Sequence, residues 1–203
     1  MKFVHQKYLI RRGPFADSDE WTRTQQQIRN AIEAIVWPSG NTQFIIFPER
    51  GKGRQKGNGV KPIKMGFIEV LRRDYEWIPE EPLDIATRRK PGNLDAVRYL
   101  NAGAFAVEWE TGNVSSSHRA LNKMLLGMLK GVLIGGVLVV PTRELYYYFT
   151  DRVGNYEELT PYFDLWKAVP IKNGILAIMA VEHHGTSRDV PKILKGTDGR
   201  ALL

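Results

Sequence analysis

Three carboxylates stand closest to chemistry in this sequence. In Phe105-Ala106-Val107-Glu108-Trp109-Glu110 the residues alternate with period two, so a strand there carries Phe105, Val107 and Trp109 on one face and Glu108 with Glu110 on the other. Carboxylates two apart on one face repel, and a cation beside them relieves the repulsion. Asp95 lies thirteen residues before Glu108, in Leu94 to Tyr99, which reads as the antiparallel neighbour of the same strand around an Asn101-Ala102-Gly103 connection. Asp and Glu delivered from two strands make a hard, oxygen-rich site suited to Mg²⁺, an ion that keeps waters and binds substrate phosphate as well. Such an ion stabilises charge on a scissile phosphate and lowers the pKa of a bound water, whose proton Glu110 is placed to take. The same spacing also suits an ordinary solvated strand face. A glycosidase pair is disfavoured, because side chains two apart on one strand lie closer than the roughly 5 Å such carboxylates need.

The elements that must hold these residues follow from periodicity and punctuation. Ser18 to Val36 is predicted as a helix capped by Ser18, with Trp21, Ile28, Ile32 and Ile35 on one face. Thr42 to Phe47 reads as a short strand. Pro62 opens a helix carrying Met65, Phe67, Ile68, Leu71 and Tyr75. Directly after the carboxylates, Thr111-Gly112-Asn113 breaks the strand, and Ser115 to Lys130 is a helix with Leu121, Met124, Leu125, Met128 and Leu129 on its apolar face. Val132 to Val140 is apolar on both faces, as in a buried central strand. A short helix near Arg143–Phe149, a turn at Thr150-Asp151-Arg152, a helix near Tyr156–Lys167 and a strand from Ile175 to Glu182 complete the chain. This order predicts one α/β domain over residues 1–203: a central mixed β-sheet flanked by helices on both sides.

Composition narrows the chemistry. The 203 residues carry a net charge of +7 and no cysteine, which removes disulfide scaffolds, cysteine zinc sites, iron–sulfur clusters and thiol nucleophiles. The N-terminus lacks an apolar signal core, and the longest apolar stretch, Val132 to Val140, is far short of the roughly 20 residues that span a bilayer. A cytoplasmic protein with no membrane partner is expected. Between Arg50 and Lys64 stand six basic residues, four glycines and no acid, predicting a mobile loop that either is merely solvated or meets phosphates. His183-His184 resembles a metal pair, but neighbours on a strand point to opposite faces.

Leu94-Asp95 followed by Glu108-x-Glu110 resembles the P-D…(D/E)-x-K signature of restriction-type nucleases, with glutamate in place of the lysine. The run from Glu108-Trp109-Glu110-Thr111-Gly112-Asn113 through Ser115-Ser116-Ser117-His118-Arg119 to Asn122-Lys123-Met124-Leu125-Leu126-Gly127 makes the likeness specific. It resembles the active-site strand and following helix of the BamHI family of restriction endonucleases, in which that glutamate is characteristic. Asn58-Gly59-Val60, Pro82-Leu83-Asp84-Ile85, Thr150-Asp151-Arg152-Val153 and Asp198-Gly199 agree in the same order.

The resemblance implies a restriction-endonuclease-like fold and a homodimeric, Mg²⁺-dependent type II endonuclease acting on double-stranded DNA, with Mn²⁺ or Ca²⁺ able to substitute in binding. It implies Asp95, Glu108, Glu80 and the Trp109 backbone carbonyl as metal ligands, Glu110 as general base, and Glu80 as the fourth acidic residue, though Glu81 beside it leaves that register open. DNA contacts fall to Lys64, Asn113, Ser115, Ser116, Arg119, Asp151, Arg152, Asp198 and Arg200, the last two on a C-terminal arm near residues 190–203. Leu129, Lys130 and Lys167 stand where the family bridges its subunits with charged residues. Arg suits guanine, Asn adenine, and a carboxylate the cytosine amino group. The implied site is GGATCC, cut after the first G, in a bacterial cytoplasm with a protective methyltransferase as genetic partner. The alternative is a sequence-specific DNA-binding protein of the same fold that does not cleave.

Overall fold

The computed structural model describes residues 1–51, 56–82, 92–149 and 153–194. A six-stranded mixed sheet, ordered β1-β7-β6-β5-β4-β3, forms the centre. Its strands are β1 (Lys2–Arg12), β3 (Ile78–Glu81), β4 (Leu94–Leu100), β5 (Gly103–Trp109), β6 (Leu133–Pro141) and β7 (Gly174–Glu182). The core strands β5, β6 and β7 pair in parallel, and β1, β4 and β3 join antiparallel on either side. A separate two-stranded ribbon pairs β2 (Ile45–Ile46) with β8 (Gly185–Thr186) in parallel.

Alternation along the central strands builds two cores, one on each face. Phe105, Val107, Val137, Val139, Ala177 and Met179 pack beneath α1 (Asp19–Glu33) and α2 (Lys61–Tyr75) through Trp21, Ile28, Ile32, Phe67 and Leu71. Ala106, Leu138, Val140, Leu176 and Ile178 face the other way, beneath α3 (Val114–Leu129) and the short helices α5 (Tyr156–Leu159) and α6 (Phe163–Lys167). Strands buried on both faces read as near-continuous apolar runs, which is why Val132 to Val140 was legible as central. The predicted mixed sheet with helices on both sides is thus the observed architecture. Among the described residues no helix is long and apolar enough to cross a membrane.

Local signals place the helix ends. Ser18 accepts from the Trp21 N–H at 3.2 Å, capping α1, and Pro62 sits in the first turn of α2, where its missing N–H is not needed. Four expectations are corrected, and one strand is added that none of them covered. The first residues form the eleven-residue edge strand β1, hidden from periodicity because bulges between Phe3 and His5 and between Tyr8 and Ile10 break the alternation. Of Thr42 to Phe47, only Ile45–Ile46 pairs as strand. The helix expected over Tyr156–Lys167 is split by a 3-10 turn at Thr160–Tyr162, where Pro161 cannot donate, and the one near Arg143–Phe149 shortens to α4, Arg143–Tyr146. The basic loop is not one loop: Gly57 to Val60 is buried, and α2 begins at Lys61. Residues 52–55 lie outside the described residues, as does most of the C-terminal arm.

Candidate active site

The β4–β5 hairpin brings the sequence-predicted acids together. Ala96 pairs with Val107, which sets Asp95 against Glu108 one step further along the ladder. Asp95 also closes the end of β5, accepting the Trp109 N–H at 2.8 Å through Oδ2. Because Phe105 and Val107 point to the α1/α2 core, Glu108 points beneath α3. It is not a solvated strand residue: it is 8% exposed, and its carboxylate is ion-paired with Lys123 of α3, which is equally buried. The Lys123 ammonium also donates to the Asn93 carbonyl at 2.7 Å. Across the hairpin, Lys64 of α2 donates to Asp95 Oδ1 at 2.5 Å. Two ammonium groups from opposite faces therefore balance the two facing carboxylates.

Glu110 follows β5 and is also buried. Its Oε1 accepts the Gly112 N–H at 2.5 Å and its Oε2 accepts the Ser117 hydroxyl. Burial pushes its carboxyl above the usual range, with these hydrogen bonds pulling it back. Burial, then the charge of Asp95, push Glu108 up to about 7 against the pull of Lys123. A carboxyl raised to about 7, as Glu108 is, exchanges protons near neutrality, and Glu110 is shifted in the same direction.

These groups line an open cleft of about 900 Å³ together with Lys64, Asn93, Ser116, Arg119 and Lys123. The start of α3 forms one wall. Asn113 caps that helix, its side chain accepting from the Ser116 N–H at 3.2 Å, so the predicted reader of adenine has its carbonyl engaged. Ser115 is exposed one turn before Arg119 and does not line the cleft. Glu80 stands opposite Asp95, since Pro79 pairs with Ala96 and Glu81 with Leu94, so Glu80, Asp95 and Glu108 fall in one row across three strands. Glu80 itself is exposed, has a left-handed φ of 54° and does not line the cleft, whereas Glu81 accepts from the Tyr99 hydroxyl at 3.0 Å. Asp151, Arg152, Asp198 and Arg200 lie outside the described residues. His183 and His184 do not act as a pair: His184 Nδ1 accepts the Phe44 N–H at 3.0 Å, while His183 is buried against Tyr148.

The donor set suits a hard cation. Asp95 and Glu108 supply carboxylate oxygens, and Glu108 Oε1 has no hydrogen bond, only its ion pair. Among the described residues no three Asp, Glu or His side chains converge to hold a metal ion. Two carboxylates with room beside them fit Mg²⁺, which retains waters and takes substrate oxygens, better than a closed structural site.

The family model for the restriction endonuclease BamHI matches residues 1–200. The chain belongs to the BamHI restriction endonuclease family. Its relatives include the type II restriction enzyme OkrAI of Oceanobacter kriegii, 51% identical over 176 residues, covering 87% of this chain and 88% of that one. The type II restriction enzyme BamHI of Bacillus amyloliquefaciens is 34% identical over 179 residues, covering 85% and 80%. The fold is also that of a crystal structure of the restriction endonuclease BglII complexed with a 16-mer DNA, with a TM-score of 0.62 at 8% identity, covering 90% of this chain and 79% of that one.

In this BamHI-family chain, sequence reasoning missed Lys123 and Ser117. Both lie one turn from residues it did select, Lys123 four after Arg119 and Ser117 four after Asn113, and i,i+4 neighbours share a helix face. That spacing was the available signal. A lysine beside Met124 and Leu125 otherwise reads as a solvated charge.

Proposed function

We propose that this type II restriction enzyme acts as a homodimer on double-stranded DNA, cutting both strands of GGATCC after the first G and leaving 5′-phosphates on 5′ overhangs. One observation carries the reading: two facing carboxylates, a buried third and basic side chains converge in a single cleft at the start of a helix. Asp95 and Glu108, with the Trp109 carbonyl and with Glu80 as the fourth acidic residue, are the groups that would hold Mg²⁺, for which Mn²⁺ or Ca²⁺ would substitute in binding. Such an ion supplies stabilisation of charge on the scissile phosphate and lowers the pKa of water. Before it enters, Lys64 and Lys123 keep the carboxylates together by cancelling their repulsion. Glu110, fixed through both oxygens by Gly112 and Ser117, takes the proton of the water that attacks phosphorus in line with the departing 3′ oxygen.

Readout of bases falls to Asn113, Ser115 and Arg119 at the start of α3 and to Asp151 and Arg152, while Ser116, Lys64, Asp198 and Arg200 add further DNA contacts. Arginine is suited to a bidentate contact with guanine. A palindrome is read by two copies, each taking a half-site and cutting one strand. Leu129 on α3 and Leu165 on α6, 53% and 66% exposed, are surfaces a second copy would cover. One domain thus carries both recognition and cleavage, in a bacterial cytoplasm whose own DNA a methyltransferase protects. Linearisation of a plasmid with one GGATCC, in the presence of Mg²⁺, tests the proposal, and sequencing the ends gives the cut position. Retained sequence-specific binding with no cutting of any plasmid would replace it with the non-cleaving DNA binder.

A further inference from the structure

Lys123 belongs to the buried face of α3, beside Met124 and Leu125, where a lysine needs partners to be tolerated. It has two. Its ammonium pairs with Glu108 Oε1, an oxygen with no hydrogen bond of its own, and donates to the Asn93 carbonyl at 2.7 Å. A carboxylate oxygen and a backbone carbonyl are also ligands that a hard divalent cation takes. The ammonium therefore holds oxygens of the kind a metal ion would use, and it lines the same open cleft. Lys64 differs in its access to solvent. Its side chain is 26% exposed where it meets Asp95, against 8% for Lys123 at Glu108. An exposed ammonium can turn to water when another cation arrives, whereas a buried one released from its partner is left uncompensated until it finds another anion.

Charge balance turns this into a condition on binding. The facing carboxylates of Asp95 and Glu108 are cancelled by the ammoniums of Lys64 and Lys123, so a divalent cation added to the four leaves an excess of positive charge. Glu110 and Arg119, which also line the cleft, oppose each other in sign and do not remove it. Repulsion between cations is much stronger in a partly buried cleft than in water. A phosphodiester entering the cleft supplies the missing anion, and its oxygens give the displaced ammonium a new charge-assisted partner. Without Lys123 the same carboxylates would carry a net negative charge and would accept a divalent cation with no phosphate present.

We infer that Lys123 is a resident counter-ion that makes divalent-cation binding conditional on DNA: in the empty cleft its ammonium holds Glu108, and it gives that carboxylate up only when a phosphate offers it another partner. The inference rests on the metal and DNA reading above. Calorimetric titration of Ca²⁺ into the DNA-free protein, and into its complex with a duplex carrying the preferred site, tests it without turnover. In the wild type the duplex should raise Ca²⁺ affinity about tenfold or more, and by linkage Ca²⁺ should raise duplex affinity by the same factor. DNA-free Lys123→Met should bind Ca²⁺ about tenfold more tightly than DNA-free wild type, and its gain from the duplex should shrink to match. Lys64→Met should change the DNA-free affinity less, because its ammonium is the more exposed of the two. An unchanged Ca²⁺ affinity in DNA-free Lys123→Met, or a change at Lys64→Met as large as at Lys123→Met, would overturn the inference. Equal Ca²⁺ affinity of the wild type with and without duplex would overturn it as well. If Lys123→Met does not fold, Lys123→Gln removes the charge, keeps a donor for the Asn93 carbonyl and is read in the same way. The DNA-free comparison needs no assigned sequence, so an error in the recognition site leaves it intact. A wild type that takes up no Ca²⁺ with or without duplex overturns the metal reading and this inference with it.

Discussion

Lys123→Met isolates the electrostatics of the cleft. The substitution keeps an unbranched side chain and removes an ammonium that is 8% exposed, paired with Glu108 and bonded to the Asn93 carbonyl. Glu108 is then left beside Asp95 without its nearest counter-charge, and breaking a buried pair from one side costs roughly 3–5 kcal/mol. The cost must depend on pH. The Glu108 carboxyl titrates at about 7 in the folded chain against 4.5 ordinarily, so between those values the folded protein retains a proton the unfolded chain has released. Stability therefore falls with rising pH by about 1.4 kcal/mol per unit, roughly 3 kcal/mol in all, and levels off above pH 7 in the wild type. In Lys123→Met the folded value moves higher still, so the fall continues, and the cost of the substitution grows by about 1 kcal/mol between pH 7 and pH 8. Urea unfolding in EDTA at pH 6, 7 and 8, on wild type, Lys123→Met, Glu108→Gln and the double variant, measures this. The double variant buries neither charge and should recover most of the loss at pH 8. Equal cost at pH 6 and pH 8, or a double variant as unstable as Lys123→Met, would refute the pairing argument.

Three further perturbations address the chemistry and its coupling to recognition. Glu110→Lys restores the commoner nuclease motif but sets an ammonium against the Gly112 N–H and the Ser117 hydroxyl, both donors, so single-turnover cleavage should drop by roughly 10³-fold, and wild-type rates would show that Glu110 is not the base. Gly154→Ala would place a methyl 2.7 Å from Ser117 Oγ and 3.1 Å from Val114 Cα, pushing Ser117 from Glu110. Its cleavage rate should fall about tenfold, with DNA affinity in Ca²⁺ unchanged, which gel-shift and quench assays separate. Arg119→Ala should cost about 1–3 kcal/mol of binding to the preferred duplex and relax discrimination at one base pair, whereas a uniform loss across sequences in a competition assay would assign Arg119 to phosphate instead.

Much of this was legible because it depends on local periodicity. Period two in Phe105 to Glu110 separated the core-facing residues from the acids, and the buried positions of Phe105, Val107 and Glu108 follow that split. The carboxylate spacing was legible too, since a hairpin with a short turn sets Asp95 against Glu108 with little freedom. Elements whose pattern is broken were not: β1 is masked by two bulges, and the helix from Tyr156 by Pro161. The burial of Gly57 to Val60 escaped detection because Asn58 is held by partners 11, 90 and 135 residues away, a separation no local window spans.

By itself, then, the sequence determined which residues are acids, on which strand face they lie, and that a helix carrying Ser115 to Arg119 follows them after the break at Asn113, because backbone geometry over a few residues decides those facts. Only the tertiary structure decided how their charge is balanced. Lys64 comes from α2 on one face of the sheet and Lys123 from α3 on the other, and they meet at Asp95 and Glu108 because the two cores pack those helices over one hairpin. Burial there raises the Glu108 and Glu110 pKa values, and burial is a property of the packed whole.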